Sequence, residues 1–452
     1  MSKYLHIGID DTDSPRKGCT TYVAALLIER LSKFNVDFID FPLLIRLNPN
    51  VPWKTRGNGA LCLRIKYDGE IFKEIKEIAF QLIIEESDIS NRGTDPAVVF
   101  FHSDSIPKEL VLFSKKVIQK IVRLDEAIHL IQKYRMEAVG FKEGRGIIGA
   151  LAAIGETLFG DHTYELITYR RSHNIGKPRK VDQDSVFKMD SKMKDLTFNN
   201  VDYDKRRVLI FPRGSDPVLF GVRGETPKAV LKAASLIEIG EDIDRWVIFR
   251  TNQATDAHFN MQQKISDLRS YYPAIVKGKV SRSPITIKGR HVIFSIKDGS
   301  GEIDCAAYEP TGKFRNVVRK LIQDDTIEVY GGVRPANMTH RKTINLEKMK
   351  IIYLVPLIEV YNPICPKCSK RMKSMGSNAG YRCERCGFRD KKAVKKVVVK
   401  KRELRTQLYI PATRANRHLT KPLERYEREK TLKNLYKPNK FWGFNFSGLK
   451  QE

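Results

Sequence analysis

Three aspartates near the start of the chain carry the clearest chemical signal. Asp10, Asp11 and Asp13 follow residues 5–9, where apolar residues alternate with small or polar ones as in a strand with one buried face. Like charges this close resist desolvation, and a cation relieves that cost. Carboxylates at the end of a strand suit Mg²⁺, which usually bridges a protein carboxylate to substrate phosphates. The alternative is a solvated acidic turn before a capped helix.

A helix predicted to begin at Thr20 and Thr21 would place its free N–H groups beside these aspartates. Apolar residues recur along one face of the following eleven or so positions, as in an amphipathic helix. A threonine at a helix start caps free N–H groups, and the same N–H groups can bind a phosphate. The succession of strand, acidic turn, Gly18 and helix N-terminus predicts a metal-assisted phosphoryl-transfer site.

Three further loops combine cations with glycines, whose exposed backbone N–H groups can bind an anion. They lie within residues 48–60, 92–96 and 144–155, and the last precedes a helix of small residues. The last loop lacks the Lys-Ser/Thr pair of a P-loop, and its alternative interpretation is a close-packed helix. The alternative for the first loop is a plain surface turn. The predicted phosphate contacts are Lys54, Arg56, Gly57, Arg92, Gly93, Asp95, Gly144, Arg145 and Gly146.

Four of the seven cysteines form two Cys-x-x-Cys pairs with 14 residues between them. Cys365, Cys368, Cys383 and Cys386 therefore predict a zinc ribbon, closed and structural because all four ligands are thiolates. Redox use is the alternative. The remaining cysteines are scattered singly, which indicates free thiols and a reducing cytosol rather than a disulfide framework.

Composition narrows the class of protein and of partner. The 452 residues are 41% hydrophobic, enough for about three or four domains, and no apolar run of about 18 residues predicts a membrane span. A strand beginning within four residues of Met1 leaves no room for a signal peptide. The net charge of +28 points to a polyanion, most often nucleic acid. Residues 387–452 alone hold 19 Lys and Arg against 6 Asp and Glu, a net +13.

The pattern of the sequence changes from about Pro273 onward. Five short strands are predicted between residues 274 and 355, with a helix over residues 314–322 between the third and fourth. This is the plan of an OB-fold, which commonly binds single-stranded nucleic acid, and an SH3-like barrel is the competitor. The tail beyond the cysteines mixes cations with aromatics, which suits RNA, although a frayed basic tail is equally compatible. Those aromatics are Tyr426, Tyr436, Phe441, Trp442, Phe444 and Phe446.

Several motifs in one order resemble a known family. They are GIDDTDS at 8–14, CTT at 19–21, KTRGNGA at 54–60, RGTDP at 92–96, GIIGALAAIG at 146–155 and RTNQ at 250–253. Together they resemble the archaeal 2-agmatinylcytidine synthetases that act on the AUA-decoding isoleucine tRNA. The resemblance covers residues 1 to about 400.

The resemblance implies a multidomain α+β architecture: a kinase-like α/β domain with a ferredoxin-like domain, then an OB-fold β-barrel and a zinc ribbon. The expected divisions are a catalytic domain at 1–200 with a ferredoxin-like segment interposed around 65–130, the rest of the ferredoxin-like and agmatine-binding region at 201–270, the OB-fold at 271–357, the ribbon at 358–400 and a basic tail at 401–452.

The resemblance also implies the reaction. ATP would yield AMP and two phosphates, agmatine would be joined to carbon 2 of the wobble cytidine, and Thr20 would become phosphorylated. Mg²⁺ and ATP would be needed for the chemistry and Zn²⁺ for structure. The partners would be agmatine and the isoleucine tRNA, through its anticodon loop and acceptor arm, in the cytoplasm and without a membrane.

The residues independently allow this chemistry. The oxygen on carbon 2 of cytosine leaves poorly, and phosphorylating it creates a phosphate leaving group that an amine can displace. Phosphoryl transfer depends mainly on positioning and charge neutralisation, for which the three aspartates and the loop cations are suited. A guanidinium is well bound by a carboxylate, and Asp216, in a loop with Gly214, is our candidate for agmatine. Two competing functions are a non-catalytic single-strand-binding protein and a kinase that releases ADP.

Overall fold

The computed structural model describes residues 2–55, 57–212, 214–338, 340–432 and 438–445. Residues 2–170 form β1 (Ser2–Asp10), α1 (Thr20–Leu31), β2 (Val36–Phe38), β3 (Leu43–Arg46), β4 (Gly59–Asp68), α2 (Phe72–Glu86), β5 (Ala97–His102), α3 (Lys108–Gln119), α4 (Leu124–Lys133), β6 (Glu137–Gly140), α5 (Gly146–Gly155) and β7 (Thr163–Arg170). Residues 183–251 add α6 (Gln183–Lys192), β8 (Val201–Asp202), β9 (Arg207–Val208), β10 (Val218–Gly224), α7 (Pro227–Ser235) and β11 (Ile243–Thr251).

One twisted sheet runs through this whole region. Its strand order is β10-β7-β11-β3-β4-β1-β5-β6, with β2 beside β4. Successive side chains of β5 enter opposite cores, with Val98 and Phe100 on the face of α1 and α2 and Val99 and Phe101 on the face of α3 to α5. Because the sheet is covered on both faces, its inner strand β5 reads as a nearly continuous apolar run.

The residues from 273 onward contain the remaining elements. They are β12 (Pro273–Ile287), β13 (His291–Lys297), β14 (Glu302–Ala307), α8 (Phe314–Arg319), β15 (Thr326–Arg334), β16 (Thr343–Tyr353), β17 (Leu357–Tyr361), β18 (Lys373–Ser374), β19 (Tyr381–Arg382), β20 (Arg389–Asp390), β21 (Lys396–Lys400), β22 (Leu408–Tyr409) and β23 (Trp442–Phe444).

Strands β12 to β16 close into the predicted OB-fold barrel. The order β14-β13-β12-β15-β16 is completed by a parallel pairing of β14 with β16, and α8 lies between the third and fourth strands. The prediction of an OB-fold with a zinc ribbon after it is confirmed. Strands β17 and β21 form an exposed two-stranded ribbon before and after the small cysteine-bearing sheet of β18, β19 and β20.

Local sequence patterns are misleading at several places. The pattern of residues 107–134 predicts one long helical region, but the structure has two helices, because residues 120–123 leave the helical conformation between α3 and α4. The apolar residues within 39–47 predict one buried strand, which the structure confines to β3. Cys19, not Thr20, occupies the N-cap position of α1, and its side chain makes no capping hydrogen bond.

The described part of the C-terminal tail returns to the half of the molecule that holds the large sheet. Residues 416–432, which we call the strap, pass between the barrel and the large sheet, and β23 pairs with β11 beyond them. Phe441 is buried against Phe38 and Phe41 and is not a stacking surface for RNA. Tyr436 and Phe446 lie outside the described residues. No helix among the described residues is long and apolar enough to cross a membrane.

Arg425 anchors the strap, and we expect its loss to be costly. Its guanidinium is buried and bonds both oxygens of Asp161, at 2.8 and 3.1 Å, and Oε1 of Glu225 at 2.6 Å. Arg425→Leu would take a buried partner from two carboxylates, so we predict a loss of about 3 kcal/mol in the free energy of unfolding, measured by urea titration. Arg428→Leu, three residues on and half exposed, should cost less than about 1 kcal/mol. Equal costs would contradict this assignment.

Candidate active site

A cavity of about 490 Å³ lies beside the ends of β1 and β3, the starts of β4 and α1, and strands β7 and β10. It brings together most of the residues singled out in the sequence, from segments more than 200 residues apart. The predicted site residues that line it are Asp10, Asp11, Asp13, Thr20, Lys54, Gly57, Arg145, Gly214 and Asp216. Arg92, Gly93, Asp95, Gly144 and Gly146 do not line it, and Arg56 lies outside the described residues.

The acidic wall of the cavity is formed by the three aspartates at and after the end of β1. Asp11 has a left-handed backbone with a φ of 58°. Its Oδ2 accepts hydrogen bonds from the backbone N–H of Asp95, at 3.2 Å, and from Nη2 of Arg145, at 3.0 Å. Arg145 also contacts Oδ2 of Asp95 at 3.2 Å. Two carboxylates therefore already hold the arginine predicted to contact phosphate.

Asp10 has the most perturbed environment of the acidic wall. Burial, and then the charge of Asp11, raise its pKa well above the ordinary value, and burial also raises the pKa of Asp11. Helix α5 comes so close that a Cβ on Gly149 would lie 1.8 Å from Oδ2 of Asp10. The small residues of α5 thus serve close packing against the acidic turn, the alternative left open by the sequence.

The acidic wall offers three carboxylates, because Asp10, Asp11 and Asp13 line one cavity, and burying them without a counter-charge is costly. Among the described residues, the only three or more ligating side chains close enough together to hold a metal ion are those of the cysteine cluster, so Mg²⁺ at the aspartates stays a prediction. Thr20 lies beside them in the first turn of α1, and its Oγ1 accepts a hydrogen bond from the hydroxyl of Thr12 at 3.0 Å. The side chain of Thr20 is nearly buried yet reaches the cavity.

A basic wall faces the aspartates. Glu165 in β7 contacts Nε of Arg223 in β10 at 3.0 Å and Nη2 of Arg46 in β3 at 3.6 Å. Lys54 lines the same cavity, and burial lowers its pKa, with the charges of Arg417 and Arg334 acting in the same direction. Because the charges that act on Lys54 are themselves positive, positive charge accumulates on this side of the cavity, and the wall is suited to an anion.

Sequence reasoning did not assign roles to Arg46, Glu165, Arg223 or His418. The first three had a usable signal, because each is a charged residue in a strand that is otherwise largely apolar. A buried charge in such a strand requires a partner and points to a site. His418 had no local signal, since only the return of the strap brings it to the cavity.

The proposed agmatine loop forms the rim of the cavity. Asp216 is buried, and its Oδ1 accepts hydrogen bonds from the backbone N–H of Val218 at 3.1 Å and from Nη2 of Arg179 at 3.4 Å. The hydroxyl of Ser215 donates to the carbonyl oxygen of Arg16, at 3.1 Å, in the loop after the aspartates. The rim is therefore tied to the acidic wall.

The four predicted zinc ligands converge in the small C-terminal sheet. The Sγ atoms of Cys365, Cys368, Cys383 and Cys386 all lie within 4.8 Å of one another. Four thiolates at this separation suit tetrahedral Zn²⁺, with no position left for a substrate. The cluster is far along the chain from the cavity, and its role is structural.

Family models match most of the chain. They are the TiaS TCKD domain over residues 6–143, the TiaS FLD domain over 144–258, an OB-fold nucleic acid binding domain over 274–352 and the TiaS C-terminal zinc ribbon domain over 362–404. The chain is also 44% identical over 419 residues to the isoleucine-tRNA 2-agmatinylcytidine synthetase TiaS of Pyrococcus horikoshii, covering 93% of this chain and 96% of that protein. This chain belongs to the TiaS family.

Other TiaS proteins agree with this assignment. The enzyme of the same name from Archaeoglobus fulgidus is 41% identical over 420 residues, with 93% and 97% of the two chains covered. A crystal structure of TiaS with its isoleucine tRNA and ATP superposes with a TM-score of 0.85 at 38% identity, covering 97% of this chain and all of that one. A complex of TiaS with the same tRNA, AMPCPP and agmatine gives 0.83 at 37% identity, with the same coverage.

The desolvated carboxylate of Asp10 should reduce stability at neutral pH. Folding raises its pKa, so its unfavourable contribution is present when the unfolded chain is ionised and vanishes below about pH 3, where both states are protonated. We predict that Asp10→Asn stabilises the metal-free protein by about 1–2 kcal/mol at pH 7.5 and by almost nothing near pH 3, as measured by denaturant titration. A destabilised variant at pH 7.5 would contradict the assigned burial cost.

The cysteine cluster predicts one zinc ion per chain. Replacing Cys383, which is buried, by serine should remove that ion, expose residues 362–390 to protease and leave the large sheet folded. Elemental analysis and limited proteolysis would measure both effects. Cys305→Ser, a buried thiol of the barrel, is the matched control and should retain the zinc.

Proposed function

We propose that this protein is an ATP-dependent ligase that joins agmatine to carbon 2 of the wobble cytidine of the AUA-decoding isoleucine tRNA, forming 2-agmatinylcytidine. The observation that carries the proposal is the single cavity in which an acidic wall, a helix-borne threonine and a basic wall face one another. The TiaS relatives, and the complexes of TiaS with isoleucine tRNA, ATP, AMPCPP and agmatine, support the same activity.

The charge of each wall of the cavity determines the role that we propose for its residues. Asp10, Asp11 and Asp13 would hold Mg²⁺, which, when bound, neutralises and aligns phosphate oxygens. Lys54, Arg46 and Arg223 would face the remaining negative charge of the nucleotide from the opposite wall. Thr20 lines the same cavity with its hydroxyl held by Thr12, which suits the transient phosphorylation proposed for it.

Activation of the base converts an oxygen into a leaving group. One phosphoryl group of ATP would pass to Thr20 and be released by water as phosphate, and the other would be transferred to the oxygen on carbon 2, which leaves AMP. The amine of agmatine would then lose a proton and form the new C–N bond as the second phosphate departs with the oxygen. The guanidinium of agmatine would lie at the rim, at Asp216 and the backbone of Gly214, for which Arg179 now competes. ATP is proposed to end as AMP and two phosphates.

The OB-fold and the zinc ribbon would hold the tRNA. The target cytidine must leave its stack to enter the cavity, which an anticodon loop allows at lower cost than a duplex. The ribbon of β17 and β21 is largely exposed and carries Lys396 and Lys400, as a contact for phosphates of a second arm would require. The kinase-like nature of residues 1–200, the interposed segment and the other boundaries stay predictions.

A reconstituted reaction tests the proposal. The protein with Mg²⁺, ATP, agmatine and the isoleucine tRNA should release AMP and give a cytidine heavier by agmatine minus water, as read by nucleoside mass spectrometry. Asp11→Ala should lower AMP release by about 100-fold or more, because the phosphates lose a metal carboxylate, and should leave tRNA affinity unchanged. Asp125→Ala, an exposed aspartate of α4, is the matched control.

Three outcomes would overturn the assignment. If the nucleoside mass does not change although the tRNA is active, the result favours a non-catalytic nucleic-acid-binding protein. Release of ADP in place of AMP would indicate a kinase. Full turnover by Asp11→Ala would remove the aspartates from the mechanism.

A further inference from the structure

The strap brings one residue of the C-terminal tail to the wall of the cavity. The backbone N–H of Ala254 donates to the carbonyl oxygen of His418, at 2.8 Å, and that of Asp256 donates to the carbonyl oxygen of Leu419 at the same distance. The strap thus runs along the residues that follow β11, and Arg425 fixes its far side. His418 is held at a defined position by backbone bonds and lines the cavity.

His418 begins a chain of hydrogen bonds that ends at the basic wall. Its Nδ1 lies 3.0 Å from Oε1 of Gln253, and Nε2 of Gln253 donates to Oε2 of Glu165. The amide end of Gln253 is committed to the carboxylate, so its carbonyl oxygen must face the imidazole. The proton of a neutral His418 ring is therefore on Nδ1, donated to Gln253.

The surroundings of His418 keep its ring neutral. Burial, followed by the charges of Arg46, Arg223 and Lys54, holds its pKa well below the ordinary value. These cations come from β3, β10 and the loop before β4, and Glu165 of β7 is the carboxylate at the far end of the chain. The Nδ1–H donor is consequently present throughout the neutral pH range.

The same chain determines where the two arginines lie. Glu165 is buried and contacts Arg46 and Arg223 as well as Gln253, so its carboxylate is shared three ways. Arg46 is held a second time, since Asn252 bonds both its backbone N–H, at 2.8 Å, and its carbonyl oxygen, at 2.9 Å. The Arg-Thr-Asn-Gln motif at 250–253, for which sequence alone suggested no chemical role, thereby connects the strap with the basic wall.

Gly57 allows the two side chains to close on the cavity loop. A Cβ at this position would lie 2.7 Å from Nη1 of Arg46 and 2.9 Å from Nε2 of His418. The guanidinium and the imidazole therefore flank the loop that carries Lys54. Any side chain at position 57 would displace one of them.

We propose that His418 is a positioning residue of the active site: by donating to Gln253 it orients Glu165, and through Glu165 the guanidinium groups of Arg46 and Arg223 that receive the phosphates of the nucleotide. This inference rests on the proposed function for the identity of the anion. It assigns part of the active site to the tail, which the motif-bearing region of the sequence did not include.

Two substitutions of His418 distinguish the effect of losing its hydrogen bond to Gln253 from the effect of losing side-chain volume. Asparagine places an amide N–H near the site of Nδ1, whereas leucine fills similar space without a donor. We expect His418→Leu to raise the dissociation constant of a non-hydrolysable ATP analogue, and the KM for ATP, by about tenfold, as for one lost buried hydrogen bond. His418→Asn should stay within about threefold of wild type. Calorimetry on the full-length protein provides the binding constants, with tRNA affinity unchanged in both variants.

A double-mutant cycle tests the route through Gln253. Gln253→Met removes the middle of the chain, and if His418 acts through it, the double variant should bind the analogue no more weakly than either single variant. Thr420→Val is the matched control in the strap, because its hydroxyl bonds Glu347 of the barrel, at 3.0 Å, away from the cavity. It should lower thermal stability while leaving analogue affinity within about twofold.

The outcomes distinguish this inference from the proposed function. Wild-type affinity in His418→Leu, equal losses in the asparagine and leucine variants, or additive losses in the cycle would each overturn the positioning role. If His418→Leu does not fold, the analogue affinities of Gln253→Met and His418→Asn are compared instead. Weaker binding by Gln253→Met alone supports the positioning role, and equal binding by the two variants overturns it. Failure of wild-type protein to modify the tRNA would overturn the proposed function, whatever the analogue binding shows.

Discussion

The structure depends on holding charges of one sign close together away from bulk water. Asp10 and Asp11 are largely surrounded by protein and have raised pKa values, because burial outweighs the favourable charge of Arg145. Across the cavity Arg46 and Arg223 share Glu165, with Lys54 on the same wall. Under the proposed function, a metal–phosphate substrate would bring positive charge to the acidic wall and negative charge to the basic wall. Stability is thus given up locally for an environment organised before the substrate arrives.

The surrounding packing explains how such walls are maintained. Helix α5 covers the acidic turn with glycine and alanine, so that its backbone approaches β1 closely: a Cβ on Gly8 would lie 2.2 Å from the carbonyl oxygen of Ala150. The large cores on the two faces of the sheet keep the strand ends in register. The apolar residues buried on both faces of the sheet offset the unfavourable free energy of the charged cavity.

The strap connects the chemistry to the domain that would bind RNA. Arg417 contacts Oδ1 of Asn50 at 2.5 Å, in the loop that leads to Lys54, and its Nε lies 3.3 Å from Oε1 of Glu347 in barrel strand β16. Its neighbour His418 faces the cavity. Lys348, buried in the same strand, bonds Asp256 and the hydroxyl of Tyr426. The barrel and the cavity therefore share one polar network, which no single segment of sequence reveals.

Much of the fold and part of the site were predictable. Strict spacing of the four cysteines is a local signal that the structure confirms. Alternation in residues 5–9 correctly predicts the strand β1, but the expected single buried face is wrong, because His6 and Gly8 are buried as well in a sheet that is covered on both sides. Asp10, Asp11, Asp13 and Lys54 were found because charge and glycine together are unusual beside apolar strands. Glu165 was missed because a carboxylate inside an apolar strand has no visible partner until β10 and β11 lie beside β7.

The sequence by itself determined which residues had to be paired: the aspartates with a cation, the cysteines with zinc, and the basic surface with a polyanion. Residue type sets those requirements through charge, ligand softness and desolvation, whatever the fold. Tertiary structure decided which partners meet, since residues 46, 165, 223, 253 and 418 become neighbours only through long-range pairing of strands and the return of the strap. Such contacts have no period and no spacing, so no local pattern encodes them.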